Sequence, residues 1–271
     1  MRSGFALTFH FLLPLSQLAC WNKKYRQVID LAILKLNLYS VVLQMQVDVW
    51  AVLPEPNPGL KWMVLLHGGS GFQENWAIDT NIEQLALGHG IAVFMPDGHD
   101  SCFVNTATGR RYGEYIGREL QGILRRYFPT LSQSRDDTWI SGFSNGGYGA
   151  FLAGLAYPQN FGRIVAAGTG DKADIDWDGQ NRLKEKEKLF GASTDMSNSE
   201  YSIKFLAKKL AEKNGPKPAI VHGCGENDPW LHMNHSLRDF FAASPFDYAY
   251  HEFPNEGHTP KAMELTIKLS M

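Results

Sequence analysis

Three side chains in this sequence could together carry out acyl transfer through a covalent intermediate. Ser144 stands in Gly142-Phe143-Ser144-Asn145-Gly146, Asp228 in HGCGENDPW, and His258 in YHEFPNEGH. A serine hydroxyl is a weak nucleophile until a neighbouring base takes its proton. Histidine is the side chain whose ordinary pKa suits that task near neutrality. A carboxylate that holds the imidazole in one tautomer completes the set.

The G-x-S-x-G pattern arises often enough by chance that its surroundings must decide. Before it, DTWISGF reads as a buried strand; after it, NGGYGAFLAGLAYP reads as a helix stopped at Pro158. Between a strand and a helix, the pattern is a nucleophile elbow: the serine takes a strained backbone conformation that only small neighbours allow. The N–H groups opening the helix then face the point where an oxyanion would develop. Asn145 supplies one such N–H. Gly69, in VLLHGGSGFQENW after an earlier strand, is placed to supply the second. That loop has neither a Walker lysine nor G-x-G-x-x-G spacing, so it does not read as a phosphate cradle.

Other assignments compete. Glu226 is an alternative acid but sits earlier on its loop. His222 and His251 lie in strand-like runs and read as structural or surface residues. His232 and His235 have i, i+3 spacing on a helix, without an HExxH motif or cysteine cluster to make a metal site. The chemistry needs no metal or organic cofactor. Trp76, Phe143, Tyr148, Trp177 and Trp230 are the aromatic candidates for pocket walls, against the general tendency of aromatic residues to be core.

The elements that would position these residues alternate. Residues 41–53 read as one or two antiparallel edge strands, and 61–67 and 91–96 as buried strands. Helical spacing follows around 81–87 and over 112–129. GRIVAAG, KPAIVHGCG and DYAYHEFP continue as strands, with helices at 201–215 and in WLHMNHSLRDFFAAS between them. Repeated β-α units after an antiparallel start predict an α/β fold, a mostly parallel sheet with helices on both faces. The polar stretch 170–198 reads as an insertion. A catalytic domain is expected over 37–271, with 1–36 as an extension or targeting segment.

Composition narrows the partners. The 271 residues carry a formal charge of −2 with no long run of one sign, which points away from nucleic acid and stable membrane association. Three cysteines without a CxxC argue against a disulfide framework. A cytoplasmic location is the expectation, with secretion or lipid anchoring through the apolar run 5–19 and Cys20 as the alternative. A homo-oligomer is left open.

With these residues in place, the chain resembles the "putative esterase" family: the esterase D-like group of tributyrin-type short-chain esterases and S-formylglutathione hydrolases, within the α/β-hydrolase superfamily. The likeness covers roughly residues 37–270. It rests on VLLHGGSGFQENW, MPDGHDSCFVNT, YGEYIGREL, GFSNGGYGAF, HGCGENDPW and YHEFPNEGH in order. It implies hydrolysis of short-chain carboxylic esters through an acyl-serine. Ser144 would be the nucleophile, His258 the base, Asp228 the orienting acid, and Gly69 and Asn145 the oxyanion donors. The alternatives are a carbohydrate acetyl or feruloyl esterase, an S-acylglutathione thioesterase, an acyltransferase, or a non-catalytic binding protein. Two departures stand out: Asn145 occupies a position that is usually Met, and Thr259-Pro260 follows the histidine where Asp-Trp is frequent.

Overall fold

The computed structural model describes residues 31–271. The expected targeting segment lies almost wholly outside them. Eight strands form one sheet: β1 (Leu31–Ser40), β2 (Met45–Pro54), β3 (Lys61–Leu66), β4 (Ile91–Pro96), β5 (Thr138–Phe143), β6 (Arg163–Ala167), β7 (Ala219–Gly225) and β8 (Tyr248–Phe253). Their order is β1-β2-β4-β3-β5-β6-β7-β8, with β2 antiparallel to both neighbours and the remaining pairs parallel.

The helices are α1 (Asn75–Asp79), α2 (Ile82–His89), α3 (Leu120–Tyr127), α4 (Asn145–Ala156), α5 (Leu183–Phe190), α6 (Ile203–Ala211), α7 (Leu231–Ala242) and α8 (Pro260–Ser270). A π-helical turn, Tyr115–Glu119, leads into α3. The insertion expected at 170–198 is a short 3₁₀ turn, Lys172–Asp174, followed by α5.

The central strands are apolar throughout because both faces are covered. Every residue of β4 and β5 is buried. Alternation along the strands then sorts side chains into two cores. Trp62, Val64, Ile140 and Ile164 pack with Tyr148 and Phe151 of α4, together with α3, α6 and α7. Met63, Leu65, Trp139 and Val165 face the other way, onto Ile82 of α2 and Met263 and Ile267 of α8.

β1 already runs at Leu31, the first described residue, so position 37 lies inside a strand. One boundary differs from expectation. Residues 41–44 are the hairpin turn and not strand, because the distant Glu119 carboxylate accepts from Val41 N–H at 2.7 Å and Val42 N–H at 3.2 Å. No helix among the described residues is long and apolar enough to cross a membrane.

The parallel strand order reverses between β3 and β5. Loops leaving the two strands there diverge to opposite sides and open a crevice at their C-terminal ends. The Gly68-Gly69 loop and Ser144 both lie at that point.

Helix α8, which starts two residues after His258, is tied down by Glu264. This nearly buried carboxylate meets Lys268 Nζ at 2.7 Å and Lys261 Nζ at 3.1 Å, and accepts from Asn81. Burial pushes its pKa up, but the two ammonium partners and the Asn81 N–H outweigh burial and hold it at about 2, against an ordinary 4.5. A depressed carboxyl pKa stabilises the fold above its unfolded value and loses that contribution as pH falls toward the folded one. Glu264→Gln is expected to lower stability at pH 7 by roughly 1–2 kcal/mol, allowing for solvent screening of the lysines. Denaturant titrations at pH 7, 4.5 and 3 check this: the deficit of the variant should shrink steadily with acid.

Candidate active site

Ser144 leaves β5 with φ +55° and ψ −119°, a left-handed conformation that serine rarely adopts. Two close approaches enforce it. A Cβ on Gly142 would stand 2.2 Å from the Gly146 carbonyl oxygen. One on Gly146 would stand 2.3 and 2.5 Å from the carbonyl oxygens of Leu66 and His67. The Ser144 N–H still donates to Ala167 O at 2.9 Å, so the elbow hangs from the β5–β6 ladder. The hydroxyl projects from the end of the sheet, and α4 begins with the next residue.

The loop after β7 and the loop after β8 bring two side chains to it. His258 Nδ1 lies 2.7 Å from Asp228 Oδ2, and its Nε2 lies 2.9 Å from Ser144 Oγ. Ionised Asp228 can only accept, so Nδ1 carries the proton and Nε2 is free to accept from the serine hydroxyl. The Asp228 side chain is fully buried. Burial raises its pKa, but hydrogen bonds from His258, from Trp230 N–H at 2.8 Å and from Cys224 more than offset this and hold it below the ordinary carboxylate value. The two loops are stitched together by Glu226 N–H donating to Phe253 O at 3.0 Å and Asn227 N–H to Glu256 O at 2.8 Å. Gly168, with φ +56°, makes room behind the pair: a Cβ there would meet the Phe143 ring at 2.8 Å and His258 Nδ1 at 3.2 Å. Glu226 itself is exposed, and among the described residues it makes no hydrogen bond or ion pair with the histidine.

The Gly68-Gly69 loop is held by the buried His67. Gly98 N–H donates to its Nε2 at 3.0 Å, so Nδ1 carries the proton and donates to Gly68 O at 2.8 Å. In that tautomer the 3.3 Å approach of Nε2 to Asp97 is a contact and not an ion pair. Among the described residues, neither Gly69 N–H nor Asn145 N–H donates to another protein group, which leaves both for a ligand. The Asn145 side chain packs under Gly69 and accepts from Lys172 Nζ at 2.9 Å.

The aromatic candidates divide. Phe143 lies against the His258 ring at 4.6 Å and, with Trp76, lines a cavity of about 180 Å³ beside Gly69. Trp230 lines a second cavity, about 190 Å³, that opens on Ser144. Tyr148 and Trp177 do not reach either. Both are packed in the core, where Tyr148 donates to Tyr201 O and Trp177 meets Phe190 edge-on at 5.7 Å. They lie instead beneath two cations, Lys172 at 5.4 Å from the Tyr148 ring and Arg182 at 5.1 Å from that of Trp177. Those two cations line the second cavity and are the residues that sequence reasoning missed. His222 is a core residue between Tyr248 and Asn234, its pKa lowered to about 4 by burial. His235 meets Glu252 at the surface.

A hydroxyl at a strand-to-helix elbow, hydrogen-bonded to an imidazole in an eight-stranded, mostly parallel sheet, defines a serine hydrolase of the α/β-hydrolase class. Residues 40–261 match the family described as "Putative esterase", and the chain belongs to it. It is 31% identical over 241 residues to an acetyl esterase of Caldicellulosiruptor saccharolyticus, covering 82% of this chain and 90% of that one. Among solved structures it resembles the fluorophosphonate-binding serine hydrolase F of Staphylococcus aureus, with TM-score 0.77 and 25% identity over 89% of this chain and 96% of the other. An S-formylglutathione hydrolase of the same organism gives 0.72 and 25%, over 88% and 99%. The chain is thus an ester-hydrolysing serine hydrolase, as its sequence led one to expect.

Gly146→Ala tests the elbow. The added methyl meets two backbone carbonyls that cannot move without shifting β3. Loss of roughly 2–4 kcal/mol of stability and nearly all esterase activity is expected, measured by denaturant melts and ester turnover.

Proposed function

We propose that this esterase cleaves small acyl esters, acetyl esters foremost, by a two-step mechanism centred on Ser144. The observation that carries the reading is the unbroken chain Asp228–His258–Ser144, at 2.7 and 2.9 Å. His258 Nε2 takes the Ser144 proton as Oγ attacks the ester carbonyl. Asp228 holds the imidazole in the required tautomer and stabilises the imidazolium that forms. The carbonyl oxygen, now anionic, is received by the N–H groups of Gly69 and Asn145. His258 returns the proton to the departing alkoxide, giving an alcohol and an acyl-serine. Water, deprotonated by the same histidine, then releases the carboxylic acid and regenerates the hydroxyl.

Size supports the acyl preference. The cavity of about 190 Å³ at Ser144 and the one of about 180 Å³ beside Gly69 each fall below the roughly 300 Å³ usual for a drug-sized ligand. The acetyl esterase relative accords with that. Feruloyl esters and S-formylglutathione, the substrates named for other structural relatives, serve as the comparison in a substrate panel.

Ser144→Ala should abolish labelling by a fluorophosphonate probe and reduce kcat on 4-nitrophenyl acetate by several orders of magnitude, leaving residual catalysis from the oxyanion donors. Asp228→Asn should label slowly and lose roughly 10⁴-fold in kcat, because an amide no longer selects the Nδ1–H tautomer. Parental turnover by Ser144→Ala would overturn the assignment. Since Asp228 is held below the ordinary carboxylate value, it stays ionised across the working range. A kcat/KM profile measured against pH should therefore show no inflection from Asp228 at or above the ordinary carboxylate pKa.

A further inference from the structure

The cavity beside Ser144 holds a charge that the hydrolytic mechanism does not use. It is lined by Ser144, Asn145, Gly168, Lys172, Arg182 and Trp230, among others. Lys172 is only 7% exposed. Its ammonium donates one hydrogen bond, to Asn145 Oδ1 at 2.9 Å, and lies 5.4 Å from the centre of the Tyr148 ring. Among the described residues, no carboxylate lies within 4.0 Å of it.

The surrounding charges do not supply the missing partner. Asp171, its chain neighbour, is turned away: its carboxylate accepts from Ser202 Oγ at 2.8 Å, Lys204 N–H at 2.9 Å and Ala173 N–H at 3.1 Å. Asp174 is taken by Lys204 at 2.7 Å. Glu185 is held in a two-pronged pair by Arg182, at 2.8 and 2.7 Å. The cavity wall therefore carries two cations, Lys172 and Arg182, of which Arg182 is paired with a carboxylate and Lys172 is not. A nearly buried ammonium with no carboxylate in contact is costly, and two of its three N–H bonds have no protein acceptor. The Asp171 contacts also fasten the turn Lys172–Asp174 to the start of α6, so the ammonium is presented from a fixed support.

We propose that this cavity receives a carboxylate carried by the ester substrate, with Lys172 Nζ as its direct partner and Arg182 contributing field from the adjacent wall. The proposal rests on the reading of Ser144 as nucleophile, since the same cavity opens on its hydroxyl. Asn145 acts as the placeholder for the ammonium when no substrate is bound. Its Oδ1 orients Lys172, and its amide nitrogen is left facing Gly69.

The test compares esters that differ only in charge. One pair places the charge on the leaving half, 4-acetoxybenzoate against 4-acetoxybenzamide. The other places it on the acyl half, mono-4-nitrophenyl adipate against its terminal amide. The wild-type enzyme should favour the anionic member of at least one pair by about tenfold or more in kcat/KM, the scale of a charge-assisted hydrogen bond. Lys172→Gln keeps a donor for Asn145 but no charge, and should bring that ratio close to one. A second readout needs no variant: glutarate should inhibit turnover of 4-nitrophenyl acetate by the wild type competitively and at least about tenfold better than glutaramide. Equal treatment of both members in both pairs, an unchanged ratio in Lys172→Gln, or equal inhibition by the acid and the amide would each overturn the proposal. If 4-nitrophenyl acetate is still hydrolysed through Ser144 in those cases, the esterase reading stands and only the carboxylate pocket falls.

Discussion

The strained backbone of Ser144 is the constraint on which the rest of the site depends. A φ of +55° outside glycine is costly, of order 1–3 kcal/mol, and persists only where the surroundings leave no alternative. Here they are the carbonyls of Leu66, His67 and Gly146, which approach so closely that residues 142 and 146 have no space for a side chain. Leu66 ends β3, His67 follows it, and Gly146 lies in the first turn of α4. The parallel pairing of β3 with β5, Leu66 opposite Gly142, thus sets both where the hydroxyl projects and where the Gly69 N–H lies relative to it. One strand pairing fixes the nucleophile and the oxyanion donors together, so their spacing does not depend on loop flexibility.

The histidine and its carboxylate come from the other side of the site, and their precision has a different origin. Neither is strained. Each sits on a loop that is pinned to the other by backbone hydrogen bonds, and α8, anchored by Glu264, closes the second loop from below. A buried carboxylate with three donors stays charged, and a charged carboxylate chooses the tautomer. The electrostatics of the site therefore follow from how Asp228 is enclosed, just as its geometry follows from how Ser144 is squeezed.

How much of this was legible in the sequence depended on the range of the interaction. The elbow is encoded within five residues, because the glycines and the serine that need each other are chain neighbours. The central strands were legible because covering both faces of a sheet demands unbroken apolar runs such as IAVFMP. Position on the loops and elements, not chain order alone, singled out Asp228 and His258 over Glu226 and the other histidines; in the structure Asp228 is buried and Glu226 exposed. What failed was tertiary. Residues 41–44 have strand-like composition, yet the carboxylate of Glu119, far along the chain, makes them a turn. Tyr148 and Trp177 follow patterns equally compatible with a pocket wall and with a core. Only the packing of α4 and α5 puts them a layer below the surface that a ligand meets. Lys172 sat in a polar stretch that composition marks as an insertion, and nothing local says that its turn folds back over the nucleophile.

The same layering explains why the cavity wall is cationic where an aromatic wall was expected. An aromatic ring beneath an ammonium or guanidinium offers the negative face of its quadrupole and replaces part of the lost hydration. Tyr148 under Lys172 and Trp177 under Arg182 are two instances side by side. Rings in the core thus make it tolerable to hold charge at the rim. Arg182 is then neutralised by Glu185, and Lys172 is not. Neutral Asn145 is a weak substitute for a counter-ion, since an amide oxygen offers a dipole in place of a full charge. A residue of Met type at position 145 would offer the ammonium no strong acceptor at all. The polar residue after the nucleophile and the uncompensated cation beside it are therefore one feature: Asn145 lets Lys172 stay at the cavity in the absence of ligand, without binding it so firmly that a carboxylate could not take its place.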